Sequence, residues 1–199
     1  MPRRADPTRK PELLGQILDH LTGRTLATVS FRTLAEALGV STYVFVYHFG
    51  NRAQLVEEIV RAIVSRHDGL LAIDAGSLDE EAWREFMASS WDVVTSPREL
   101  QLHRLELEAA MLEMAQGQPS GVGRAAVARW HAFTTAWCVG RGAQPERADV
   151  EARLFTDAIY GLLYDALATG DLARVTAGYR LHVDAFAARV RDLAGIAAA

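Results

Sequence analysis

The stretch Phe31-Arg-Thr-Leu-Ala-Glu-Ala-Leu-Gly-Val-Ser-Thr-Tyr-Val-Phe-Val-Tyr-His-Phe-Gly50 constrains the fold more than any other part of the chain. Leu34, Ala35 and Leu38 recur at helical spacing and so share one face of a helix. Gly39 follows, a residue that turns sharply without a Cβ penalty, and Val40 and Phe45 then close a small core against a second short helix. Ser30 and Ser41 each precede a helix, where a hydroxyl caps exposed backbone N–H groups. A helix, a glycine turn and a second helix together present side chains to a DNA major groove.

One part of this stretch pulls the other way. Residues 42–49 are rich in β-branched and aromatic side chains, and taken alone they read as a strand. A helix is nevertheless expected, because the run is too short to nucleate structure by itself and its neighbours on both sides are strongly helical.

The chain has 199 residues, half of them hydrophobic, enough to bury a sizeable core. Its net charge of -4 and pI near 5.9 hide an uneven distribution. Through Arg52 there are seven basic residues against four acidic ones, while the remainder carries 14 basic against 21 acidic. A basic head on an acidic body suits a DNA-binding module joined to a domain that stays off DNA; charge alone fits a mildly basic terminus as well. Cys138 is the only cysteine, so no intramolecular disulfide forms and a reducing, cytoplasmic setting is expected; its apolar neighbours suggest a small core residue. The N-terminal residues have no apolar region of signal-peptide type, and no apolar run reaches the ~20 residues needed to span a membrane.

Periodicity predicts an all-α chain with no repeat. A first helix runs from about Thr8 to Leu21, with a stripe of Leu13, Leu14, Ile17, Leu18 and Leu21. A long fourth helix opens at the cap residue Asn51, carries Leu55, Val56, Ile59, Val60 and Ile63, and is expected to reach about Leu71. The turn residues from Asp74 to Leu78 mark a boundary, with Ser77 as the expected cap of the next helix. Further helices are expected from Pro97 to near Gly117, over 124–139, 146–168 and 172–193, with a mobile loop at 117–123. The expected organisation is a helix-turn-helix domain over residues 1–52, a connecting helix over 51–72, and a C-terminal domain over 73–199.

With the basic first helix, the Leu34-Ala-Glu-Ala-Leu-Gly-Val-Ser41 run, the His48-Phe-Gly-Asn-Arg52 run and Leu55 heading a long helix, the first quarter of the chain resembles the TetR family of one-component transcriptional regulators. The body resembles that family only in length and helix count. The resemblance implies an all-helical homodimer that binds a palindromic operator in double-stranded DNA and releases it when a small molecule enters the C-terminal domain. It puts Ser41, Thr42, Tyr43 and Tyr47 on the groove-facing side of the recognition helix, with His48 near the backbone and Arg52, matching a common lysine, on a phosphate. Arg32 and Thr33 at the start of the preceding helix join the DNA-facing set. Two positions depart from the family pattern: Val46 stands where a tyrosine is common and Tyr43 where a glycine is common.

The side chains themselves are suited to this task. Ser, Thr and Tyr hydroxyls bond phosphates or base edges, a Tyr ring packs on a thymine methyl, and Arg gives a charge-assisted phosphate contact. The recognition helix has no Arg, Asn or Gln for a bidentate base contact, so specificity rests on hydroxyl and apolar contacts or on DNA shape. Arg3, Arg4, Arg9 and Lys10 form a candidate minor-groove or backbone arm.

In the body, Trp83, Met87, Trp91, His103, Met111, Trp130, Phe133, Trp137, Tyr160 and Tyr164 are candidates to line a cavity for an apolar or aromatic effector, with ordinary core packing as the alternative. His103 stands between Glu99 and Glu106 at one-turn spacing, but further ligands are lacking; a solvated charged face explains the pattern better, and no metal or other cofactor is expected. Leu154, Phe155, Ala158, Ile159, Leu162, Leu163, Val175, Phe186 and Val190 form broad apolar faces on the last two helices, as a homodimer interface between two copies requires. No catalytic motif is present, so an enzyme is not expected; an all-α interaction or ligand-binding module that never meets DNA is the other alternative.

Overall fold

The structure, a computed structural model, describes residues 8–115 and 121–197. Among these are nine α-helices and no strand: α1 (Arg9–Leu21), α2 (Phe31–Leu38), α3 (Thr42–Phe49), α4 (Arg52–Ser65), α5 (Glu80–Val94), α6 (Pro97–Ala115), α7 (Val122–Gly140), α8 (Pro145–Thr169) and α9 (Leu172–Ala197). By their contacts they divide into two compact units. A head holds α1–α4 with α6 from Leu105 onward, and a body holds His67–Arg104 and the chain from Arg124.

In the head, Leu13, Ile17 and Leu21 of α1 are buried together with Leu34 of α2, Phe45 and Phe49 of α3, and Leu55 and Ile59 of α4. These burials hold α3 as a helix against its local β preference. Phe45 is fully enclosed between Phe31 and Phe49, with ring centroids 6.0 and 6.3 Å away. Burying two phenylalanines, worth about 3–6 kcal/mol together, is enough to offset a propensity deficit of a few tenths of a kcal/mol per residue summed over the eight residues of α3.

Several boundaries differ from the sequence expectation. Helix α4 stops at Ser65 rather than near Leu71; the chain turns through Arg66–Gly69 into a 3₁₀ turn at Leu70–Ala72, with the Leu70 N–H bonded to the His67 carbonyl at 3.0 Å. Arg66, whose guanidinium donates to the Ile63 carbonyl and lies 3.2 Å from Glu106, holds that end. The cap of α5 is Asp79, accepting from the Ala82 N–H at 2.8 Å, whereas Ser77 sits in the 3₁₀ turn Ala75–Ser77 and donates to the Asp74 carbonyl. Val122 and Gly123 belong to α7 rather than to a loop, and residues 117–120 of the expected loop lie outside the described residues.

The body is built around stacked rings. Trp83 lies on Trp137 at 4.3 Å and 15°, Phe155 on Phe186 at 4.1 Å, and Trp91 on Tyr179 at 4.0 Å. Helices α8 and α9 pair along their length, and this pairing corrects the reading of their apolar faces: Phe155, Leu163, Val175, Phe186 and Val190 are buried within the chain. The outward stripe consists instead of Val150, Leu154, Gly161 and Tyr164 on α8 with Ala177, Leu181 and Ala185 on α9. The Glu99, His103, Glu106 face of α6 is not solvated either. His103 and Glu106 are each at most 5% exposed, with the His103 ring 5.3 Å from that of Tyr160 and Glu106 beside Arg66.

Candidate nucleic-acid interface

Helix α2 begins with a capping box. The Ser30 hydroxyl accepts from the Thr33 N–H at 3.1 Å while the Thr33 hydroxyl accepts from the Ser30 N–H at 3.1 Å. It ends at Gly39, whose φ of 64° is the left-handed conformation that stops a helix and redirects the chain within two residues. Ser41 then caps α3, accepting from the Tyr43 N–H at 3.2 Å. Phe45 and Phe49 anchor the inner side of α3, which leaves Thr42, Tyr43, Val46 and Tyr47 as one exposed stripe at i, i+1, i+4 and i+5. Tyr43 is 70% exposed, Tyr47 58% and Val46 47%, unusual values for large apolar groups on a packed helix.

Among the residues expected at DNA, Thr42, Tyr43 and Tyr47 come together on this stripe, and the two tyrosine rings lie 6.5 Å apart. His48 is half-buried at the end of α3, edge-on to Tyr47 at 4.9 Å. Ser41 and Thr33 are exposed, with their hydroxyls engaged in capping. Arg32 is exposed and pairs with Glu36 at 3.3 Å. Val46 joins the stripe although it was read only as a departure from a pattern; its position four residues after Thr42 was the available signal.

Arg52 has a different local role from the one expected of a phosphate ligand. Its Nε donates to the Val29 carbonyl at 2.7 Å, and Nη2 reaches the Ala27 and Leu26 carbonyls at 3.4 and 3.5 Å. The guanidinium thus clamps the short 3₁₀ turn Leu26–Thr28 that leads into α2. The same turn is held by Glu108, whose carboxylate accepts from the Thr25 hydroxyl and, at 3.3 Å, from the Ala27 N–H. Of the expected basic arm, Arg9 and Lys10 lie in α1 and pair with Glu12 at 3.5 Å and Glu58 at 3.2 Å, while Arg3 and Arg4 lie outside the described residues.

The candidate effector residues separate into groups. Trp83, Met87, Trp91, Phe133 and Trp137 are buried in the body core. Trp91 Nε1 donates to the Thr176 hydroxyl at 2.9 Å, Trp137 Nε1 to the Leu78 carbonyl at 3.1 Å, and the Tyr179 hydroxyl to the Met87 carbonyl at 2.7 Å. Trp130 meets Phe133 edge-on at 6.1 Å, and His103 lies 5.3 Å from the Tyr160 ring. Met111 and Tyr164 are exposed and do not join them. Trp83 Nε1, Ser90 Oγ and Thr156 Oγ1 are buried without a hydrogen-bond partner among the described residues, which is uncommon for polar atoms in a packed interior. Burial pushes the Cys138 thiol up to about 12, so it packs as a small apolar group. Among the described residues no group of three or more His, Cys, Asp or Glu could hold a metal ion, and no helix is long and apolar enough to cross a membrane.

No protein-family profile and no curated sequence matches the chain. Solved structures do. The chain superposes on a Mesorhizobium loti protein assigned to the TetR family of transcriptional regulators with a TM-score of 0.67 at 19% identity, covering 93% of this chain and 98% of that one. A TetR transcriptional regulator from Legionella pneumophila gives a TM-score of 0.69 at 15% identity, with 92% and 98% covered. A TetR variant from Acinetobacter baumannii, solved in complex with minocycline, gives 0.52 at 16%, with 96% and 99% covered. The fold of this chain, over more than nine-tenths of its length, is that of the TetR family of transcriptional regulators.

Proposed function

We propose that the protein is a DNA-binding transcriptional regulator of the TetR type, acting as a homodimeric repressor. The observation that carries this reading is the exposed stripe of Thr42, Tyr43, Val46 and Tyr47 on the second helix of a capped helix-turn-helix. The head, residues 1–52 with α4, reads DNA; the body from residue 73 holds the partner copy and an effector. Support for the dimer comes from the outward stripe of α8 and α9, where Leu181 is 72% exposed beside the small residues Ala177 and Ala185. Two copies would space their recognition helices about 34 Å apart or a multiple of it, so the operator is a pseudo-palindrome.

The effector is a small, largely apolar or aromatic molecule with polar groups able to meet buried donors. The unpartnered Trp83 indole N–H and the Ser90 and Thr156 hydroxyls favour it, since a ligand that pairs buried polar groups binds more tightly than one that leaves them empty. The minocycline complex of the Acinetobacter protein is consistent with a small-molecule effector. A binding protein, rather than an enzyme, is the reading in keeping with these neighbours.

Selection by the purified full-length chain from a library of random duplexes tests the proposal. An enriched inverted repeat, bound by a dimer in sedimentation and lost in Leu181→Arg together with dimerisation, is expected. Absence of any enriched sequence at low salt refutes it.

A further inference from the structure

We propose that α3 reads thymine C5-methyl groups, so that each half of the operator is specified by thymines rather than by guanines. This rests on the DNA-binding reading above and names the base chemistry it uses.

Three observations carry it. First, none of the eight residues of α3 is Arg, Lys, Asn or Gln, so the helix offers no pair of parallel donors for guanine O6 and N7 and no donor–acceptor pair for adenine. Second, the groups just beyond the C-terminal end of α3 that could supply such a contact are already engaged, and Arg32 at the start of α2 pairs with Glu36 at 3.3 Å. Asn51 and Gln54 form the capping box of α4, with the Asn51 side chain accepting from the Gln54 N–H at 3.0 Å and the Gln54 side chain from the Asn51 N–H at 3.2 Å; Arg52 is spread over the carbonyls of residues 26–29. Third, what α3 does expose is hydrocarbon with single hydroxyls: the isopropyl group of Val46, the methyl of Thr42, and the two tyrosine rings.

In the major groove the thymine C5-methyl is the apolar group on the base edges. Val46 lies between the two aromatic side chains in sequence and projects from the same stripe, so a methyl pressed against it leaves water on both sides. The Thr42, Tyr43 and Tyr47 hydroxyls flank this contact and bond phosphates or single base atoms, which position the helix without carrying a full code. The exposure of Val46 thereby gains a purpose that solvent alone does not supply.

The test uses the full-length chain and the duplex enriched by selection, resynthesised with deoxyuridine in place of thymine at one symmetric pair of positions at a time. Uracil keeps every hydrogen-bonding group of thymine and lacks only the methyl. Loss of one buried methyl per half-site corresponds to about a fourfold change each, or about fifteenfold for a symmetric pair. At least one thymine pair should show this loss. In Val46→Ala, an exposed substitution that suits a helix, thymine and uracil at that pair should bind alike while the salt dependence is kept. Half-sites whose enriched positions are all G·C, or uracil duplexes that bind as tightly as thymine at every position, overturn the proposal while leaving DNA binding intact. Failure to enrich any sequence overturns both.

Discussion

Replacing Arg52 separates two roles, a clamp on the turn before α2 and a direct ligand to phosphate. In the clamp, one short charge-assisted bond of 2.7 Å to the Val29 carbonyl carries most of the energy, and the 3.4 and 3.5 Å approaches to Ala27 and Leu26 add little. Hydrogen bonds from charged donors contribute about 1.5–3 kcal/mol, and the side chain is exposed, so water recovers part of the loss. A cost of about 1–2 kcal/mol in Arg52→Ala follows, which lowers Tm by about 2–8 °C for a chain of this size. Arg52→Lys supplies one point donor in place of a planar fork and should lose most of the same stability. Thermal unfolding followed by circular dichroism gives the first readout, and salt titration of binding to a fluorescent duplex the second. If the clamp is the role, both variants melt earlier and the slope of log affinity against log salt is unchanged. If Arg52 neutralises a phosphate, Arg52→Ala loses about 0.9 of slope per subunit, Arg52→Lys keeps it, and neither melts much earlier. The second pattern refutes the clamp.

Two glycine substitutions should act in opposite directions. A Cβ on Gly140 would lie 2.3 Å from the Gly76 carbonyl oxygen and 2.7 Å from its Cα, so Gly140→Ala forces backbone apart and should cost about 1–3 kcal/mol, seen as an earlier urea midpoint. Gly15→Ala on α1 meets nothing within 4 Å and should stabilise by about 0.5–1 kcal/mol; equal effects of the two would contradict the close approach. Burial, and to a lesser degree Arg189, hold His182 below the ordinary imidazole value, against a hydrogen bond to the Phe155 carbonyl that raises it. The unfolded chain therefore binds more protons than the folded one as pH falls below about 6.5, so stability is full above that value and is lost as pH drops through the folded pKa. Urea midpoints between pH 7.5 and 5.5 should fall more steeply for the natural protein than for His182→Gln, and parallel curves would exclude His182 as a source of the dependence.

Much of the head was legible because its signals are local. Ser30, Ser41 and Asn51 act on backbone N–H groups two or three residues away, and the Gly39 N–H bonds the Ala35 carbonyl four residues back, so spacing alone locates the helix ends. Thr42, Tyr43 and Tyr47 share a face by the geometry of a single helix. Arg52 was different, since its acceptors lie 23 to 26 residues earlier, and nothing in its neighbourhood in sequence announces a turn that folds back against it. Further along, the end of α4 at Ser65 and the capping of α5 by Asp79 are not legible in sequence, because Arg66, His67 and Ser77 satisfy helical and turn patterns equally well.

The sequence by itself determined that the chain is helical, where its helix-turn-helix begins and ends, and which of its residues carry hydroxyls and rings on one helix; each of these depends on interactions within about four residues. Tertiary structure decided everything that depends on which surface meets which. It turned residues 42–49 into a helix by burying Phe45 and Phe49, and buried His103 and Glu106 on a face that looked solvated. It also drew Phe155, Leu163, Val175, Phe186 and Val190 inward, leaving Leu154, Tyr164 and Leu181 outside. Periodicity assigns a residue to a face of its helix, but only packing of distant segments assigns that face to the core, to solvent or to a partner.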